Sequence, residues 1–152
     1  MRILVVEDNP IHLDDAIRTL RDAGVEISTA ADEQSGLEKL EESSPDGVIT
    51  DIFMPRTVGH SRYGNDNEPC GVAIALRAEQ LGIPFVFCTA GNHHGARYQW
   101  ITDVAADRGW PIIDSSAFGG TADSDESPKK DWAEAFRQVG ELVDNGRKSG
   151  HV

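Results

Sequence analysis

Five short apolar runs recur along the chain, at residues 3–6 (ILVV), 25–30 (VEISTA), 47–50 (GVIT), 85–88 (FVFC) and 111–113 (PII). The first, third and fourth are continuous rather than alternating, as in parallel strands buried on both faces. The stretches between them have helical spacing. Leu13, Ile17 and Leu20 fall at i, i+4 and i+7 within 11–23, and Leu37 and Leu40 mark 32–42. A nearly all-apolar start opens 71–81 at Gly71, and Trp100, Ile101, Val104 and Ala105 mark 92–108. Trp132, Phe136, Val139 and Val143 form an amphipathic stripe along 131–144. Asp131, with Glu134 three residues on, has the look of an N-cap and capping box. Strand and helix alternate throughout, which predicts an α/β fold: a doubly wound, five-stranded parallel sheet with helices on both faces. One domain is predicted over 1–144, with 145–152 a short, frayed polar tail.

Two segments exceed what this alternation needs, at about 57–70 and 115–130. Both are rich in turn-forming and polar residues and read as loops, where connections of about two to six residues are usual. Composition changes the picture little. The 152 residues suffice for one real core, and 39% hydrophobic with 26% charged residues mark a soluble globular class. A net charge of -12 disfavours a nucleic-acid surface. Two cysteines, Cys70 and Cys88, are too few for a disulfide scaffold, and Cys88 sits in an apolar run as a buried thiol would. The apolar run at the N-terminus is far shorter than a signal or membrane-spanning segment, so no membrane association and a cytoplasmic location are expected.

In open α/β sheets, sites form beyond the carboxyl ends of the strands, near the switch point in strand order. Glu7 and Asp8 follow the first predicted strand, and Asp51 ends the third. With strand order 2-1-3-4-5 these two strands are neighbours flanking the switch point. Taken singly, each carboxylate reads as a solvated strand end. Together they repel unless a cation lies between them, and all-oxygen ligation suits Mg²⁺. A divalent ion beside a lone aspartate suits phosphoryl chemistry, with the carboxylate as nucleophile.

The segments ILVVEDNP, TDIFMP and FVFCTA, with the alternation around them, resemble the receiver domain of two-component response regulators. The resemblance covers residues 1–144 apart from the two surplus loops, and implies a flavodoxin-like fold. It also implies that Asp51 accepts a phosphoryl group from a histidine kinase or a phosphotransfer protein. Glu7, Asp8, Asp51 and the backbone carbonyl of Phe53 would hold Mg²⁺. Thr89 would hydrogen-bond the phosphoryl group and act as the switch, with a hydroxyl capping the next turn as the plain reading for the unphosphorylated state. Ala90 is small, which leaves room for the group. Signalling would follow by contact with a downstream protein target. Chemistry would be limited to self-catalysed phosphoryl transfer and autodephosphorylation, and no output domain fits in the remaining residues.

Two features depart from that pattern. Receivers carry a lysine just after strand five, and WPIIDSSAFGG has none there. Lys130, beside the last helix, is the candidate replacement, with Lys129 the alternative and a solvated basic pair the plain reading of both. A long loop can return the chain at small entropic cost. Strand five also lacks the family's switch aromatic, and Trp110, which precedes it, is not assigned that role. Gly71 rather than Gly59 is taken to open the third helix, which makes 57–70 an insertion at the rim of the pocket. The two insertions together would form a lid or a docking surface. His60, Cys70, His93 and His94 have the residue types for Zn²⁺ but match no usual ligand spacing. Arg62 and Tyr63 are better read as partner contacts. Two other functions compete: a degenerate receiver that binds proteins without phosphorylation, and a Mg²⁺-dependent phosphohydrolase of the dehalogenase type. The latter wants an aspartate two residues after the nucleophile, where this chain has Phe53.

Overall fold

The computed structural model describes residues 1–57, 68–90, 95–115 and 129–150. The strands are β1 (Arg2–Val6), β2 (Glu26–Ala30), β3 (Gly47–Thr50), β4 (Phe85–Thr89) and β5 (Ile112–Asp114). The helices are α1 (Pro10–Asp22), α2 (Glu33–Ser43), α3 (Gly71–Leu81), α4 (Gln99–Arg108) and α5 (Trp132–Ser149). The strands form one parallel sheet in the order β2-β1-β3-β4-β5, the order predicted above. The fold is thus a five-stranded, flavodoxin-like α/β sandwich.

The continuous apolar runs are explained by the pleat, which sends alternate side chains to opposite faces. Leu4, Val6, Val48 and Phe87 join Leu40 of α2, Ile74 and Ala78 of α3 and Ile101 of α4 in one core. Ile3, Val5, Ile49, Val86 and Cys88 join Ala16 and Leu20 of α1 and Trp132, Ala135 and Val139 of α5 in the other. A polar substitution on either face of β1, β3 or β4 would therefore reach a core. Gly71 is required where α3 passes β3. A Cβ there would lie 1.9 Å from the Asp51 carbonyl oxygen, and its N–H donates to the Ile52 carbonyl at 2.9 Å.

Two boundaries differ from the sequence expectation. The predicted helix 92–108 begins only at Gln99, after a turn in which the Tyr98 N–H bonds the Gly95 carbonyl. Its apolar pattern starts at Trp100, and Trp100 itself is exposed while Ile101 and Ala105 are buried. The segment after Asp144, expected to be a frayed tail, is helical through Ser149. Arg147 in that last turn bonds Asp46 at 3.0 Å, which fixes the helix end to the start of β3.

The first insertion is closed at its base. The Met54 N–H donates to the Glu68 carbonyl at 3.1 Å, and Met54 bridges both Glu68 and Pro69. The Pro55 and Arg56 carbonyls accept from the Glu33 and Gln34 N–H groups. The entry to the insertion thereby satisfies donors that the first turn of α2 leaves unpaired. Gly59, His60, Arg62, Tyr63, His93 and His94, and most of the second insertion, lie outside the described residues.

Candidate functional site

β1 and β3 run side by side, with Val6 opposite Thr50, so the residues that follow them emerge together. Glu7 is buried, its backbone N–H bonded to the Ala30 carbonyl at 2.9 Å. Asp51 is buried too, its N–H bonded to the Val6 carbonyl at 3.0 Å. Glu7, Asp8 and Asp51 each present a carboxylate oxygen within 4.8 Å of the others. Glu7 Oε1 accepts from the Asn9 N–H at 3.0 Å, and Asp51 Oδ1 accepts from the Ile52 N–H at 2.7 Å. The backbone therefore aims both carboxylates, and each keeps a second oxygen for another partner.

That partner is Lys130. Its Nζ donates to Asp51 Oδ2 at 2.7 Å and to Glu7 Oε2. The lysine side chain is only 2% exposed, whereas Lys129 is exposed to solvent. Nζ also lies 5.6 Å from the centre of the Trp132 ring, a cation–π contact in a desolvated setting. Facing Glu7 and Asp51 raises the Lys130 pKa above its ordinary value, against the pull of burial. Burial first, and the nearby Asp51 charge, push Glu7 up to about 7 despite Lys130. Burial and Asp51 also raise Asp8. Three carboxylates thus face one ammonium, an acid-rich balance.

Thr89 is fully buried at the end of β4, next to β3 in the sheet. Its carbonyl accepts from the Ser115 N–H at 2.9 Å. Phe53 lies two residues past Asp51, and its ring packs edge-on against Tyr98 with centroids 4.9 Å apart. Cys70 is buried in the core, its thiol pushed up to about 12 by burial and by Glu33. A protonated core thiol is a poor zinc ligand.

Two residues at this site escaped the sequence reading. The first is Ser115, fully buried directly after β5, whose Oγ accepts from the Asp131 N–H at 2.8 Å. The expected capping box is only half formed. The Asp131 carboxylate caps the Glu134 N–H at 3.0 Å, but the Glu134 side chain bonds Arg137 and Gln138. Ser115 takes the N–H that a capping box would have used. The second is His12 of α1, a buried residue whose imidazole is held below its ordinary pKa by burial and by Lys130. Among the described residues, His12 Nδ1 and Trp132 Nε1 are buried without a hydrogen-bond partner. The signal for His12 was its spacing, since it precedes buried Ala16 and Leu20 in steps of four.

Residues 3–107 match the family described as the response regulator receiver domain. The transcriptional regulatory protein PrrA of Mycobacterium leprae is 36% identical over 89 residues, 59% of this chain and 34% of that protein. A protein-glutamate methylesterase/protein-glutamine glutaminase of Anaeromyxobacter dehalogenans is 38% identical over 58 residues, 38% of this chain and 17% of that protein. The match thus spans about a third or less of these curated relatives. Among solved structures, a CheY-like receiver domain protein from Methanospirillum hungatei superposes with a TM-score of 0.65 at 20% identity, over 97% of each chain. The response regulator PhyR from Brucella abortus gives 0.63 at 18% identity, over 99% of this chain and 51% of that one. At such identities these likenesses speak for the fold. The family match runs from β1 into α4 and takes in Glu7, Asp8, Asp51 and Thr89, while Lys130 lies beyond it. On that match the chain belongs to the response regulator receiver domains of two-component signalling.

Proposed function

We propose that this domain is a phospho-acceptor, phosphorylated on Asp51 by a histidine kinase or phosphotransfer protein, and that it signals through contact with a downstream protein. The observation that carries this reading is the buried Lys130 ammonium held between Glu7 and Asp51, with Asp8 in the same cluster. An Asp51 carboxylate oxygen would attack the phosphorus of a phosphohistidine. The P–N bond breaks, its electron pair returns to the imidazole, and an acyl phosphate forms on Asp51. Lys130, already bonded to Asp51 Oδ2, would pair with a phosphoryl oxygen as negative charge passes onto the new group. Thr89 would donate its hydroxyl to that group.

The donor set fits Mg²⁺. Glu7, Asp8 and Asp51 are hard oxygen ligands, and the single ammonium of Lys130, paired with Glu7 and Asp51, does not balance their combined charge. The carbonyl of Phe53 would complete the protein ligands. When bound, the ion supplies charge neutralisation for the incoming phosphoryl oxygens.

The test is incubation with acetyl phosphate and Mg²⁺, read by intact mass. Wild type should gain one phosphate-sized adduct and Asp51→Asn none. No adduct on wild type at any Mg²⁺ concentration would leave a phosphorylation-independent binding module. Continuous release of phosphate over many turnovers would instead mark a hydrolase.

A further inference from the structure

Lys130 reaches the carboxylates by an unusual route. Residue 115 directly follows β5, where the receiver pattern recognised above would carry its lysine, and here it is a serine. Ser115 is pinned at both its backbone and its side chain. Its N–H donates to the Thr89 carbonyl at 2.9 Å, and its Oγ accepts from the Asp131 N–H at 2.8 Å. The residue donating that second bond is the immediate neighbour of Lys130. One fully buried hydroxyl thus joins the end of β5, adjacent to Thr89, to the start of α5. It closes the base of a chain excursion 16 residues long in sequence separation.

We propose that Ser115 is a positioning residue: its hydroxyl holds the Asp131 amide so that Lys130 Nζ stays on Asp51 and Glu7. The function of the family's lysine position is thereby divided, with Ser115 keeping the place in the sheet and Lys130 supplying the charge. Losing the hydroxyl leaves the Asp131 N–H without its buried acceptor. The backbone at 130–131 then relaxes toward water, and the ammonium withdraws from a geometry on which the chemistry depends. The proposal rests on the phospho-acceptor reading for its effect on rate, but not for its effect on the position of Lys130.

The experiment compares Ser115→Thr with Ser115→Val, which have the same shape and differ in the hydroxyl. Lysine acetylation by a water-soluble active ester, mapped by peptide mass spectrometry, reports the position of Lys130 without any phosphorylation. Wild type and Ser115→Thr should protect Lys130 and label exposed Lys129. Ser115→Val should label both while keeping a cooperative thermal transition. Phosphorylation by acetyl phosphate should slow by about tenfold in Ser115→Val relative to Ser115→Thr. Equal Lys130 protection and equal rates in the two variants would overturn the proposal. If no variant, wild type included, is phosphorylated, the acceptor reading fails, while the labelling pattern still decides the role of Ser115. If Ser115→Val loses its cooperative transition, Ser115→Ala takes its place, and protection of Lys130 in that variant overturns the proposal.

Discussion

At the scale of single residues, Lys130 stands out because it is both buried and charged. A buried cation is retained only where its partners compensate the loss of water, and here Glu7 and Asp51 do so. Lys130→Ala would leave Glu7, Asp8 and Asp51 facing one another. In the presence of a chelator the variant should lose about 3 kcal/mol of stability. Mg²⁺ should then raise its Tm by more than it raises that of wild type, since the ion would replace the lost ammonium as well as bind. Equal Mg²⁺ responses in thermal melts would show that the ammonium and the ion do not share these ligands. Glu7, Asp8 and Asp51 were legible in the sequence because each lies at the end of an apolar strand. Lys130 was legible only through a family resemblance. Within its own neighbourhood, a polar stretch ending in two lysines, only its place beside the helix start at Asp131 distinguished it from Lys129. The Asp131 N–H beside it bonds the Ser115 hydroxyl, a tertiary contact with no local sequence signature.

At the scale of elements, apolar runs and helical spacing located the five strands and five helices of the described residues, because each buries a face that must be apolar. It erred where an end is decided by something else. The start of α4 follows a turn at 95–98, and the last turns of α5 carry the Arg147–Asp46 contact. The junction of β3 and α3 was read correctly from Gly71, for a reason the structure makes explicit. Gly71→Ala would press a methyl group into the Asp51 carbonyl, and the Asp51–Ile52 backbone against it leaves little room to relax. The variant should lose about 1–3 kcal/mol in denaturant unfolding, as overpacking does. On the proposed reading it should also impair phosphorylation, because the carbonyl that must move belongs to Asp51. A variant as stable and as readily phosphorylated as wild type would mean that α3 can shift without disturbing β3.

At the scale of the whole molecule, the sheet has an acidic end and a tied end. The carboxyl ends of the strands carry Glu7, Asp51, Thr89 and both insertions. At the opposite end Asp46 gathers three elements. Its Oδ2 accepts from the Arg2 N–H at 2.7 Å, its Oδ1 from Arg147 at 3.0 Å, and its own N–H donates to the Arg2 carbonyl at 2.9 Å. The Arg2 amide first, and then Arg147, hold the Asp46 carboxyl below its ordinary pKa of 3.8. A depressed carboxylate pKa contributes stability above the unfolded value, and that stability is lost as pH falls through the folded one. Asp46→Ala should therefore be less stable than wild type near pH 7, by about 1 kcal/mol given its solvent exposure. The gap should close as the pH drops below 3.8. Thermal melts across that range, with hydrogen exchange in the last turn of α5, would check it. A gap that persists in acid would assign the effect to packing rather than charge.

Lys130 stands 123 residues after Glu7 and 79 after Asp51. Contacts of such sequence separation close late, because the chain between must be ordered first. During synthesis the three acids leave the ribosome well before the cation that partners them. A nascent chain extending only through β5 would hold Asp51 but not its ammonium. On the proposed reading, competence to take up phosphate would then coincide with completion of the fold.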